Sequence, residues 1–287
     1  MGIFFALLAL ILWGFGDFLI QRSVRRFGNW IALFYITGIG SVILFPFIFK
    51  DLFSILKDWN NIFLLFFVGI LMLVAALFDF EGLRRGKIAI IEPIFSLELP
   101  IAVGLAIIFL HENISIIQYA LIFFVCGGIF FVSTKNLRHL FHLHIEKGVW
   151  HAIVATVGMG LISFMFGLTA RNTSPMLLNW YVSFFIFCVA SGYLIYNKQW
   201  KIIKRDWQRH EILILGVGVI DTMAWVAYSY SVLYIPIAIA VGISESYIAL
   251  AAMLGIMINK EKIKKHQYLG LIIAVCAAIL LAILTDK

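Results

Sequence analysis

Charge is what this sequence has least of. Asp, Glu, Lys and Arg make up 13% of its 287 residues, hydrophobic residues make up 63%, and the mean hydropathy is +1.03. A soluble domain carries roughly 25% charged residues, so too little polar surface exists here to cover the apolar content, and a water-soluble fold is excluded. Cysteine is scarce as well. Cys126, Cys188 and Cys276 all lie inside apolar runs, which excludes a disulfide framework and reads as packing thiols. No phosphate-cradling glycine loop, nucleophile elbow or zinc-protease pattern occurs, so the corresponding enzyme classes have no support. The first apolar run has no basic n-region and no small-residue cleavage site before Trp13; it is expected to remain as a span and not to be removed as a signal peptide.

What is present is a series of apolar runs, cut at charges and turn residues: 3–21, 29–49, 61–81, 88–110 and 114–133, then 148–169, 176–196, 211–232, 236–258 and 267–285. Only helices or closed barrels satisfy the backbone in lipid, and barrel-type alternation is missing, so ten transmembrane helices are expected. The formal net charge is +7, with the cations spread through the links; this points to phospholipid headgroups and away from nucleic acid.

The chain also repeats itself. Glu112 to Tyr119 and Glu261 to Tyr268 both read E-x-I-x-x-x-Q-Y, 149 residues apart, and Ala6, Ala9, Gly14 and Arg25 return as Ala152, Ala155, Gly160 and Arg171. Two homologous halves follow, 1–134 and 148–287, separated by the polar stretch Thr134 to Gly148. Five helices per half is an odd number, so the halves sit in the membrane with opposite orientation, as two inverted five-helix repeats. Links 1–2, 3–4, 5–6, 7–8 and 9–10 hold 18 of the 22 Lys and Arg residues, which places those links in the cytoplasm and both termini outside. Within the repeated motif, Ser115 and Gln118 have capping-box spacing, and Glu112 and Glu261 are favoured by a helix dipole, so a structural role is expected for both glutamates.

Pro100 followed by Glu112, Gln118 and Gly128, with Glu261, Gln267 and Gly270 in the second half, resembles the EamA family of the drug/metabolite transporter superfamily. The resemblance covers both halves. It implies a ten-helix basket that moves small metabolites or drugs, often outward, with both termini in the cytoplasm, against the charge count. The second half has Ala249 where the first has Pro100, which removes the proline-based reason for a bend in span nine.

Three carboxylates fall near the centres of their spans: Glu98, Asp221 and Glu245. An ionised group at that depth costs at least a few kcal/mol, so these residues are expected to face a cavity, a partner or a transport path and to take up a proton or a cation. Asp221, Trp225 and Tyr228 share one stripe of span eight, which suits recognition of an amine by ring faces. Asp17, with Trp13 and Gln21 on its face, lines the cavity mouth or pairs with Arg22 or Arg25. Asp79 and Glu81 read as a solvated link-end cluster with Arg84, Arg85 and Lys87, and Glu92 beside Pro93 lies near the start of span four. Thr156, Gly160, Ser163 and Gly167 form a small-residue stripe that reads as close helix packing, with a cavity wall as the alternative. Pro236 opens span nine, where proline is tolerated. His139, His142, His144 and His151 lack the Cys or acidic partner of a metal motif, so neither a metal nor a cofactor is expected.

These residues define the expected function. It is a secondary active transporter of the cytoplasmic membrane, not an enzyme, working by alternating access on a small-molecule cargo. Coupling is to a proton or by exchange, export of amines or amino acids is the cargo expectation, and the unit is a monomer or homodimer. Two rivals from other classes are an intramembrane enzyme acting on a lipid-like substrate, with two carboxylates as acid and base, and a passive channel.

Overall fold

The structure is a computed structural model that describes residues 1–49, 59–85, 94–134, 148–250 and 264–285. Within them lie ten helices: α1 Gly2–Phe27, α2 Asn29–Ile48, α3 Trp59–Arg85, α4 Glu98–Leu110, α5 Ile116–Ser133, α6 Val149–Asn172, α7 Pro175–Tyr196, α8 Trp200–Tyr234, α9 Ile237–Ser244 and α10 Lys265–Thr285. Eight of these, all but α4 and α9, are long and apolar enough to cross a bilayer. Phe4, Phe47, Phe63, Phe123 and Ile272 point outward while the interior is apolar too, the all-round hydrophobicity that a lipid solvent requires. The protein is an all-helical, multi-pass membrane protein.

Three expected boundaries change. The first link shrinks to Gly28, whose φ of 82° lies where side chains with a Cβ are disfavoured; Arg25 and Arg26 occupy the last turn of α1, where cations suit the helix dipole. The seventh link is itself helical: α8 starts at Trp200 and kinks at His210, where φ is −139°. Spans four and nine are not continuous, since turns at 96–97 and 245–246 interrupt them. Cys188 and Cys276 are exposed on outward faces and do not pack inside, correcting the sequence reading.

Helix pairing mirrors the duplication. α1 packs on α8 and α6 on α3; α1 packs on α9 and α6 on α4; α2 pairs with α7, α5 with α10 and α4 with α9. Exchanging the halves turns this set into itself. The match extends to single residues. A Cβ on Gly14 would lie 2.9 Å from Leu250 Cδ2, and one on Gly160 would lie 2.7 Å from Ile101 Cγ2. Ile101 and Leu250 are themselves 149 residues apart, so each first helix needs its glycine to approach the broken helix of the other half.

Contacts between helix ends fall into two sets among the described residues. One set joins Arg26 to His210, Asn29 to Glu81 and Gln267 to the Val132 carbonyl; this end holds the arginine-rich links and is called the basic face below. The other set joins Glu112 to Arg171 and Gln118 to Thr285. Ser115 and Gln118 form the expected capping box at the start of α5. In the second copy Gln267 Oε1 likewise accepts from the Lys264 N–H at 3.0 Å.

Candidate functional site

The two interrupted helices meet inside the bundle and are built alike. In the first half the Leu97 N–H donates to the Ile94 carbonyl at 3.1 Å and the Ile101 N–H to Leu97 at 3.4 Å. In the second half the Ser246 N–H donates to Ile243 at 3.2 Å and the Leu250 N–H to Ser246 at 3.4 Å. Each of the three residues, Ile94, Leu97 and Ile101, is displaced by the same 149 positions to Ile243, Ser246 and Leu250. Proline is not the cause, because the Ala249 N–H donates to Ser246 at 3.0 Å, a bond that Pro100 cannot make. In span nine the Ser244 and Ser246 hydroxyls donate to the Val241 and Gly242 carbonyls, and such local bonds compete with the helical ladder.

Both interruptions carry a carboxylate. Glu98 opens α4 and accepts 2.9 Å from the Ser163 hydroxyl of α6. Glu245 closes α9 and is 5% exposed. The partial negative charge of a helix C-terminus favours a cation there, as half-helix ends do in carriers. Tyr228 of α8 donates 2.7 Å to the Ser163 carbonyl and lies within electrostatic reach of both glutamates. Ser163 thus links two residues that sequence spacing keeps 130 positions apart.

Aromatic rings stand beside these groups. Trp13 of α1 lies 5.0 Å from Trp225, 5.7 Å from Tyr228 and 6.1 Å from Tyr247, and Trp225 lies 4.7 Å from Phe166. Ring faces next to carboxylates provide both the quadrupole and the counter-charge that a small cation needs. Asp221 is half-buried on α8, one turn before Trp225. Asp17 lies one turn beyond Trp13 in α1, and its side chain is outside what the structure describes.

The small-residue stripe of α6 packs as its spacing suggests, with one exception. Thr156 donates to the Ile94 carbonyl, Gly160 meets Ile101 and Gly167 meets Ile237, but Ser163 binds Glu98. Trp13, Phe166 and Tyr247 were missed as ring-cluster members. Tyr247 was legible, because the 149 offset sets it opposite Glu98; Trp13 was singled out only as a neighbour of Asp17 on span one, and Phe166 carried no signal beyond a mid-span position.

Glu112 is structural, but not at the expected helix. Its carboxylate accepts from the N–H groups of Ile237 at 2.7 Å and Ala238 at 3.0 Å, capping α9 instead of α5. It also pairs at 3.2 Å with Arg171, whose guanidinium donates to the Val232 and Ile235 carbonyls that end α8. Acid and base together clamp the α8 to α9 turn. At the basic face Glu81 binds Arg84, Arg85 and Asn29, part of the expected link-end cluster, but its side chain is largely covered at 12% exposure and not solvated. Lys87, Glu92, Pro93, His139, His142, His144 and Glu261 lie outside the described residues; the His151 ring lies 5.8 Å from Phe78, tilted by 39°. Among the described residues no group of three or more His, Cys, Asp or Glu side chains is placed to hold a metal ion.

A duplicated bundle of membrane-length helices with a carboxylate at each of two equivalent helix breaks, Glu245 buried and Glu98 half-buried, fits a multi-pass membrane transporter. The EamA-like transporter family matches residues 1–134 and again 146–283, so the chain belongs to that family. No curated protein matches it. Among solved structures, one described only as a crystal structure of a protein covers 100% of this chain and 99% of its own, with a TM-score of 0.72 at 12% identity; that likeness concerns the fold.

Proposed function

We propose that the protein is a secondary active transporter of the cytoplasmic membrane, built as two inverted five-helix repeats that rock about the paired helix breaks. The observation that supports this reading is that the two interrupted helices, broken at 96–97 and 245–246, pack on each other, with Glu98 and Glu245 both within electrostatic reach of Tyr228, which clusters with Trp13, Trp225 and Tyr247. Proton and cargo compete for these two carboxylates, so occupancy by one excludes the other and exchange follows. An amine or amino acid suits the site, with its cationic group at Glu245 and against the rings. Exchange against inward-moving protons sends such a cargo outward. Asp221 and Asp17 line the approach to the site in this reading.

The reciprocal contacts of Gly14 with Leu250 and Gly160 with Ile101 support a rocking mechanism, since the same close packing recurs on both sides of the site. By the positive-inside rule the basic face is cytoplasmic. The test is counterflow in proteoliposomes for Glu245→Gln. Exchange of a cationic cargo is expected to fall at least tenfold and to lose its pH dependence. Wild-type rate with an unchanged pH profile would remove Glu245 from the mechanism.

A further inference from the structure

A cavity lies away from Glu98 and Glu245, at the basic face where α1 ends and α8 begins. Its volume is about 500 Å³, within the range of small-molecule sites. Arg26, Arg205, Arg209, His210, Gln199 and the carboxylate of Asp206 supply its polar wall, three guanidiniums against one acid, and Phe27, Ile31 and Ile202 its apolar one. The charges around His210 are Arg22, Arg26 and Arg209 against Asp206. Asp206 pairs weakly with Arg205 at 3.5 Å, while neither Arg26 nor Arg209 has a carboxylate partner among the described residues.

The cavity is a built feature of the fold. Arg26 Nε donates to His210 Nε2 at 2.8 Å, so the imidazole accepts there and the guanidinium is held with its other N–H donors still available. His210 occupies the kink of α8, which turns Trp200 to Arg209 away from the span and across its end. That segment is anchored by the buried Ile203, whose carbonyl accepts from Tyr35 at 2.6 Å. Trp200 and Trp207 stand 6.1 Å from Phe34 and Tyr35 of α2 yet stay partly exposed, and Lys201, Lys204, Arg205 and Arg209 are exposed between and around them. Tryptophan interleaved with cations is the composition of a helix lying at headgroup level. Nearby, Trp30 and Tyr193 stack at 4.1 Å, extending the aromatic belt.

We propose that this cavity binds a phosphate-centred anion, and that its occupant is the headgroup of an anionic phospholipid. A planar guanidinium matches phosphate oxygens in a bidentate fashion, and clusters of Lys and Arg on an amphipathic helix beside a span recruit anionic lipid. The apolar lining beside the arginines suits the glycerol and upper acyl chain, which a free phosphate ion does not have. Bound there, the headgroup tethers the Trp200 to Arg209 segment to the end of α1. The inference is independent of the cargo site.

The experiment uses the full-length protein, purified and stripped of lipid, and follows its melting temperature in mixed micelles at fixed ionic strength. The probes are phosphatidylglycerol, phosphatidylcholine and, separately, inorganic phosphate. Phosphatidylglycerol is expected to raise the midpoint by several degrees at a mole fraction where phosphatidylcholine does not. Arg26→Gln with Arg209→Gln should raise the mole fraction needed by about 5-fold for each arginine removed. Lys201→Gln with Lys204→Gln removes the same charge from outside the cavity lining, loses only unspecific attraction to the anionic micelle, and should change it clearly less than the arginine pair does. Arg209→Gln alone leaves the Arg26 to His210 bond intact and covers the case in which the double variant fails to fold. A response to inorganic phosphate that the arginine variants lose would keep the anion site and reassign its source to a soluble phosphate. Equal responses to the two lipids, or equal losses in the arginine and lysine variants, would overturn the proposal.

Discussion

Replacing Glu112 by Gln tests the clamp over the α8 to α9 turn. The carboxylate is 7% exposed and accepts two backbone N–H bonds, at 2.7 and 3.0 Å, besides the 3.2 Å pair with Arg171. Gln retains one acceptor oxygen, turns its NH2 toward the second N–H, and removes the charge that favours a helix N-terminus. Losing one charge-assisted bond costs about 1.5 to 3 kcal/mol, and the charge at the helix end about another 1 kcal/mol. Arg171 keeps its bonds to the Val232 and Ile235 carbonyls, so its charge is not abandoned, and about 3 kcal/mol is the expected total. At about 2 °C per kcal/mol for a chain of this size, the melting temperature should fall by about 6 °C. Arg171→Gln should show a similar loss. The double variant should fall short of the sum of the two by about 1 to 2 kcal/mol, because the second substitution finds the pair already broken. Additive losses, or single losses below about 1 °C, would refute the clamp and return Glu112 to a generic helix-end charge.

The glycines predict an unequal pair. Gly160→Val drives a Cβ against the branched Ile101 and to 3.1 Å from the Glu98 carbonyl, whereas Gly14→Val meets only Leu250, whose side-chain end can turn aside. Overpacking of about 1 to 3 kcal/mol is expected for Gly160→Val and clearly less for Gly14→Val, read as melting temperature; the reverse order would count against the described packing. Ser163→Ala removes the hydroxyl donor to Glu98 and should cost about 1 to 3 kcal/mol in stability while altering cation exchange in the counterflow assay. No change in either quantity would show that the bond is incidental.

The sequence reading succeeded where information is one-dimensional. Hydropathy alone located the spans to within a few residues for most helices, because every residue of a membrane helix answers to the same solvent. Self-similarity alone revealed the duplication. Ser115 and Gln118 were legible as a cap because both partners of that interaction lie within one turn. The reading failed where partners are distant. Glu112 was assigned to the helix that follows it in the chain, while the backbone groups it serves are 125 and 126 residues away.

The same division separates what the chain alone determined from what folding decided. Apolar composition and internal repetition determined that this is a duplicated, multi-pass membrane protein with a few costly carboxylates at depth, since the bilayer penalises charge regardless of tertiary detail. The tertiary structure decided which side chains stand together. It interrupts spans four and nine at equivalent positions, brings Ser163 between Glu98 and Tyr228, and sets Trp13 from the first half against Trp225, Tyr228 and Tyr247 from the second. None of this follows from span counting. In a uniformly apolar helix no face is marked as inward by periodicity, so only the packing of small residues against the broken helices fixes which side chains face the site.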